Sequence, residues 1–558
     1  MDRSRVRNLL WGWLGLFLVA GLATERLVRL AKAPATDFDD AYMVLRYANN
    51  LLAGQGAAWN PGEGSVFGVT SLLHLAVLTA LRWIFTSLGP AGLLAVASGG
   101  AAIGLLAALV AIAALHARHP RLYRNWIFWT ANVLPVLAYR EAFGFHAGTG
   151  MDTMLSALVN AFVVFATLRL AESPKVSTVT WAAVAAVLAV LARPDNMVCA
   201  IFCPVLALAL LAPRPRGKPL AIFCALSVGA LAVIAVAEWR LLGSPLPLSV
   251  FAKQPWYYGG FAGEFTWNPF LFLKVFGTSA WPFVVALILF ADRAGFRRAA
   301  VLLAPALASI VILFGFNQIM GHLGRFYYPF LPFFVAAGVL EFDAWLGRIH
   351  AGHAVRLKAM LARAGVAVVA VLAGNFSLSR AASAYEVRAS DQWLAPLGGF
   401  HVSACAPLPE FDSWQAARHI SAIAAAAPPG TRFAMSEHGF PGVAAPHITI
   451  IDLLGLHDPY FARHGFSAAD LFRRKPDVIW MAHPDHTQMI RDILDSDEFW
   501  SHYVFYPDAF FHGIALRTDG ANYERLATLL RVEWQKVYPK EAMADYQASR
   551  GEGGCVGR

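Results

Sequence analysis

Three carboxylates crowded into four positions, Asp37, Asp39 and Asp40, stand directly behind the first long apolar run, in Thr36-Asp-Phe-Asp-Asp-Ala-Tyr-Met-Val-Leu-Arg-Tyr47. Carboxylates this close repel one another and raise the proton affinity of at least one member. That is the chemistry of a general acid or base. A helix cap accounts for two of them, with Asp37 as N-cap and Asp40 three positions on; catalysis shared between Asp39 and Asp40 accounts for the cluster. Gly148-Thr-Gly-Met-Asp152-Thr153 and Arg193-Pro-Asp195-Asn196 put further charges at the mouths of later apolar helices. Capping by Thr149 or Asp152 and an internal Arg193–Asp195 pair are the structural alternatives. A charge at the centre of a membrane helix costs about 3 kcal/mol, so these residues require pairing or a polar cavity. Two later loops bring cations with aromatic neighbours: Lys253 before Trp256, Tyr257 and Tyr258, and His322-Leu-Gly-Arg325-Phe-Tyr-Tyr328. Cations flanked by rings suit a phosphate at headgroup depth on an apolar tail. An interfacial aromatic belt with snorkelling cations has the same appearance.

The elements that position these residues follow from composition. Hydrophobic residues make up 58% and charged residues 15% of the 558 positions, and the mean hydropathy is +0.52, which marks a polytopic α-helical membrane protein. Apolar runs near the roughly 20 residues that cross a bilayer recur to about Ala373 and then stop. The division is therefore a membrane domain over 1–378, with an outer loop at 31–69, and a soluble domain over 379–558. In the latter, Trp414 to Ala427 reads as a helix, and Thr431 to Met435, His447 to Asp452 and Asp477 to Met481 read as strands, a small α/β domain.

Sidedness comes from the basic clusters. Asp2, Arg3, Arg5 and Arg7 precede a run from Leu9 to about Leu30, which reads as a retained span rather than a signal peptide and puts the N-terminus inside. Basic clusters at His116 to Arg124, Arg169 to Lys175, Arg214 to Lys218, Asp292 to Arg298 and Arg348 to Arg363 all belong inside. The acids and the Lys253 and Arg325 loops then share the outer face. Eleven crossings result when Ser71 to Phe85, short and carrying His74 and Arg82, lies at the interface. After Asp40, Ala41, Val44, Leu45, Ala48, Leu51 and Leu52 recur at helical spacing opposite Asp39, Tyr42, Arg46, Asn49 and Asn50, an amphipathic helix on the membrane surface that Gly54 and Gly56 end.

Several classes are excluded. The +9 charge is spread over short loops and does not mark a nucleic-acid partner. His438, His457, His464, His483 and His486 match no standard zinc spacing, and no metal or other cofactor is expected. Cys405 and Cys555 are the only cysteines outside the apolar part and are candidates for a disulfide.

In order along the chain, Asp39-Asp-Ala-Tyr-Met-Val-Leu-Arg46-Tyr, Gly54-Gln-Gly-Ala-Ala-Trp-Asn-Pro-Gly-Glu63, Gly150-Met-Asp152-Thr, Arg193-Pro-Asp195, the Ser244 to Lys253 loop and Asp452-Leu-Leu-Gly-Leu-His-Asp458-Pro resemble the GT-C glycosyltransferase superfamily. The resemblance is nearest to the terminal arabinofuranosyltransferases that use decaprenyl-phosphate arabinose. It implies that the first-loop acid, Asp39 or Asp40, is catalytic, with Arg46, Asp152, Arg193, Asp195, Lys253, His322 and Arg325 binding substrate. It also implies a polyprenyl-phosphate sugar donor, a glycan or protein acceptor and a multi-pass protein of a bacterial-type cell membrane, with the site and the tail outside. Asp152, where such sequences often have Glu, and Gly64-Ser-Val-Phe-Gly-Val-Thr70 depart from the common pattern and leave sugar and acceptor open. A transporter or flippase for a lipid-linked sugar would use similar acids, but would need inverted repeats or mid-membrane acids; the sequence has neither.

Overall fold

The protein is described by a computed structural model over residues 38–116, 140–213, 217–253, 268–316, 318, 321–350, 357–393, 413–483, 486–507, 509–511 and 513–538. The first apolar run at 9–30, Asp37, the expected crossing near 124–140, Trp256 to Tyr258, Cys405 and Cys555 lie outside these residues.

Helix α1 (Asp39–Leu52) forms where the apolar spacing expects it, and Gly54 (φ 75°) and Gly56 (φ 73°) end it in the left-handed region that glycine enters without strain. Its N-cap is Phe38, with no side-chain cap bond. Helix α2 (Leu72–Ile84) starts on Ser71, whose hydroxyl accepts from the His74 N–H at 3.1 Å. Its 13 residues reach about 20 Å, short of the roughly 30 Å hydrocarbon core.

Next come α3 (Pro90–His116), α4 (Arg140–Gly148), α5 (Thr153–Glu172), α6 (Val176–Ala192), α7 (Met197–Leu206), α8 (Gly217–Leu242), α9 (Leu248–Ala252), α10 (Pro269–Phe290), α11 (Arg293–Leu313), α12 (Leu331–His350) and α13 (Leu357–Trp393). Among the described residues, 8 stretches are long and apolar enough to cross a membrane by length and composition. Together with α6, a shorter apolar helix, they coincide with nine of the eleven expected crossings. Pro204 removes a backbone donor inside α7, and the chain widens into a π turn at Ala207–Leu211. α5 lies at the centre of the bundle; Ala182, Ala183, Ala185, Ala186 and Ala189 of α6 are buried and allow close helix approach. α8 and α13 expose Val233, Trp239, Val368 and Leu372, as lipid-facing helices do. α13 runs unbroken through position 379.

The tail folds as α14 (Ser413–Ala426), β1 (Arg432–Met435), α15 (Gly439–Ala444), β2 (Thr449–Asp452), α16 (Pro459–His464), α17 (Ala468–Arg473), β3 (Val478–Trp480), α18 (Thr487–Leu494), α19 (Asp497–His502), β4 (Tyr503–Tyr506), β5 (Ile514–Arg517) and α20 (Tyr523–Val537). The sheet order is β2-β1-β3-β5-β4, with β1 parallel to β2 and β3 and the last two strands antiparallel. Alternation sends Phe433 and Met435 into one core and Ala434 into another. The first of these cores also contains Ala41, Leu45, Tyr47 and Ala48 of α1. The polar face of α1 is thus not turned to water: Asp39, Arg46 and Asn50 are buried as well.

Candidate active site

Loops at the carboxyl ends of parallel strands are where α/β sheets build sites. Here the chain leaves β1 through His438 into α15, and leaves β2 at Asp452 into the loop that carries His457. Both exits lie against α1. The N–H of Gly439 donates to Asp39 Oδ2 at 2.7 Å and that of Phe440 to Oδ1 at 2.8 Å. A Cβ at position 439 would overlap the Asp39 carbonyl, so glycine is required for this approach. Burial raises the Asp39 carboxyl above the ordinary carboxylate range against the pull of His438 and the two N–H donors.

Arg46 lies on the same face. Its Nε donates to the Trp59 carbonyl at 2.8 Å, Nη1 to the carbonyls of Gly442 and Ala445, and Nη2 to the Ile448 carbonyl at 3.1 Å and Asn60 Oδ1 at 3.2 Å. The guanidinium sits 5.0 Å from the Trp59 ring centroid. Burial lowers its pKa to about 10, and it remains a cation at neutral pH. Asn60 adds a strand-like pair with Ile450, donating to its carbonyl and accepting from its N–H at 2.9 Å each. Arg46 and Asp39 thus hold the tail onto α1, and neither borders the cavities beside it.

Asp40 does border one of them. This cavity is lined by Asp40, Asp152, Lys253 and Arg325 from one side and by Leu456 and His457 of the tail from the other. It shares Thr70, Asp152, Ser249, Lys253 and Arg325 with a larger cavity, which adds Arg193, Asp195 and an apolar wall of Met197, Val198, Val250, Ile312, Leu313, Phe316 and Phe326. Asp40 Oδ2 meets Arg325 Nη1 at 2.9 Å. Arg193 forks onto Asp195 at 2.8–3.3 Å and reaches Asp152 at 3.5 Å. Asp152 stands at the N-cap of α5 but makes no cap bond. Arg193, Lys253 and Arg325 all approach the Phe326 ring, at 5.4, 5.9 and 5.3 Å from its centroid. Half-buried Lys253 has no ion-pair partner among the described residues.

Burial favours the neutral form of Asp40, but Arg325 and Lys253 outweigh it and hold the carboxyl below its usual range. Burial lowers Lys253 to about 8, against the pull of Asp40. His322 is exposed and stands edge-on to Phe38 and Phe145, outside both cavities.

The expected substrate residues therefore divide. Asp40, Asp152, Arg193, Asp195, Lys253 and Arg325 converge on the joined cavities, whereas Asp39, Arg46 and His322 do not. A second polar cluster sits beside them. His438 Nε2 lies 3.0 Å from Asp452 Oδ1, the Tyr47 hydroxyl lies 3.1 Å from His457 Nδ1, and the His457 ring stacks on Trp59 at 4.0 Å and 14°. Burial lowers His457 to about 3, aided by His438; Asp452 sits at about 2 because His438, His457 and backbone donors overcome its burial. The spacing between positions 438, 452 and 457 carried no signal of this cluster, because two separate segments, the turn after β1 and the end of β2 with its following loop, supply its members.

A family described as "Domain of unknown function (DUF8728)" matches residues 410–547, the α/β domain. No curated protein matches the chain.

Proposed function

We propose that this chain is a multi-pass membrane glycosyltransferase that moves a sugar from a polyprenyl-phosphate donor to a hydroxyl of an extracytoplasmic glycan or protein acceptor. The observation that carries the reading is the joined cavity, where a carboxylate and an ammonium without an ion-pair partner among the described residues, at one end, lead into an apolar groove at the other. A phosphate on an isoprenoid tail has that same division of polarity. Lys253 and Arg325 take the phosphate, and the tail lies along Met197, Val198, Ile312 and Phe316.

In the reaction, the acceptor oxygen bonds to the anomeric carbon while the bond from that carbon to the phosphate oxygen breaks. Charge grows on the leaving phosphate, where Lys253 and Arg325 stabilise it. The hydroxyl proton goes to Asp40. While Arg325 is paired with it, Asp40 is a weak base; a bound phosphate that draws Arg325 away raises its basicity when it is needed. An acceptor enters beside Leu456 and His457.

Purified protein supplied with radiolabelled polyprenyl-monophosphate sugars and envelope glycan should transfer label with no nucleotide sugar present. Transfer that requires a nucleotide sugar overturns the reading, as does an unchanged envelope glycan profile in cells lacking the protein.

A further inference from the structure

His438, Asp452 and His457 meet where the turns after β1 and β2 close against α1; His457 forms part of the wall at the acceptor entrance, and no bond-making or proton-transfer step of the reaction uses any of the three. They are 0%, 1% and 5% exposed. Their ligand-type atoms all lie within 4.8 Å of one another, the one such His/Cys/Asp/Glu group among the described residues. Buried polar atoms are nearly always hydrogen-bonded, yet Nδ1 of His438 and Nε2 of His457 have no hydrogen-bond partner among the described residues. His438 Nε2 sits 3.0 Å from Asp452 Oδ1. That separation is close to the edge of about 3.3 Å between tetrahedral ligands at about 2.0 Å from an ion.

We infer that His438, Asp452 and His457 form a site for one divalent transition-metal ion of the zinc class. Two imidazoles and a carboxylate are a donor set that such ions take. Two of the three ligands, Asp452 and His457, are oriented from behind, as metal ligands usually are. The Asp452 carboxylate is fixed by the N–H groups of Leu454 (2.8 Å) and His457 (2.6 Å), each on a different oxygen. Tyr47 holds His457 at Nδ1, which leaves Nε2 as the ligating atom, and Trp59 fixes the ring plane. Glycine at 68 makes room for this arrangement, since a Cβ there would fall on both the Tyr47 hydroxyl and His457 Nδ1. The ion ties the turn after β1 to the loop after β2. It thereby fixes the Gly439 and Phe440 amides that hold Asp39, and acts as a positioning element for α1 rather than a participant in transfer. The expectation of no metal, drawn from His spacing, fails to register this site because Asp452 and the fold join residues that no linear zinc motif contains.

The test uses the full chain in detergent and needs no sugar donor. After dialysis against metal-free buffer, wild-type protein should carry stoichiometric zinc by elemental analysis. A strong chelator should remove it with a fall in melting temperature, and zinc ion alone should restore both. Cobalt(II) put in its place should give visible ligand-field bands without thiolate charge transfer. His457→Ala and Asp452→Asn should lose the metal, while His464→Ala, at an exposed histidine, should keep it. A wild-type protein that neither carries metal nor binds added zinc overturns the inference, and a cobalt–thiolate band or metal retained in His457→Ala overturns its assignment to these residues. Should the variants not fold, the wild-type zinc and cobalt measurements decide alone.

Discussion

Replacing Arg46 by Met keeps the length of the apolar stem and removes every donor of the guanidinium. Three of its acceptors retain a partner. The Trp59 carbonyl still accepts from Asn50 Nδ2 at 3.1 Å, and Asn60 Oδ1 still accepts from the Ile450 N–H. The Ala445 carbonyl keeps a 3.3 Å bond from the Ile448 N–H. The carbonyls of Gly442 and Ile448 lose the donor that Arg46 supplies. Each buried acceptor left unsatisfied costs about 1–3 kcal/mol, and the lost contact with Trp59 adds about 1 kcal/mol. The expected loss is about 3–7 kcal/mol, a large part of the roughly 5–15 kcal/mol that holds a domain folded. Arg46→Lys should recover little, because an ammonium cannot fork onto carbonyls in several directions. Hydrogen exchange in detergent reads the effect directly: amides at 439–450 should lose protection, and the melting temperature should fall. If Arg46→Met leaves exchange and melting unchanged yet weakens donor binding, then Arg46 is a substrate ligand and the clamp is refuted.

Asp40→Asn should lower turnover by about 10²–10⁴-fold, the usual worth of a general base, with melting unchanged, whereas Asp39→Asn should lower the melting temperature through loss of one of its two amide contacts and keep measurable transfer. Single-turnover rates beside melting curves separate the two, and the reverse pattern would exchange their roles. Lys253 binds phosphate only as the ammonium, so kcat/KM for donor should fall as pH rises through about 8, and Lys253→Met should flatten that limb. A wild-type profile flat from about pH 7 to about pH 9 would remove Lys253 from the phosphate site.

Periodicity and charge carried much of the architecture without any tertiary information. An apolar run of membrane length is its own signal, because backbone satisfaction inside hydrocarbon forces a helix. The strands at Arg432–Met435, Thr449–Asp452 and Val478–Trp480 were legible as β-branched and aromatic runs between turn residues. The antiparallel pair β4 and β5 was not read, since Tyr503–Tyr506 is buried on both faces and shows no alternation. The polar loops also announced Asp40, Asp152, Arg193, Asp195, Lys253 and Arg325, because a charge next to an apolar run is expensive and therefore visible.

What the sequence could not decide is which way each of those charges turns. Asp39 and Asp40 are adjacent and chemically identical, yet a helix sets successive side chains about 100° apart. One carboxylate therefore faces the amides of α15 and the other faces Arg325. Arg46 read as a substrate ligand on a polar stripe, and only the docking of the sheet onto that stripe turns it into a structural clamp. His438, Asp452 and His457 likewise become neighbours solely because parallel pairing of β1 and β2 brings their carboxyl-end loops side by side. Linear spacing records the local period of a helix or strand, and contacts made by separate loops leave no period to read.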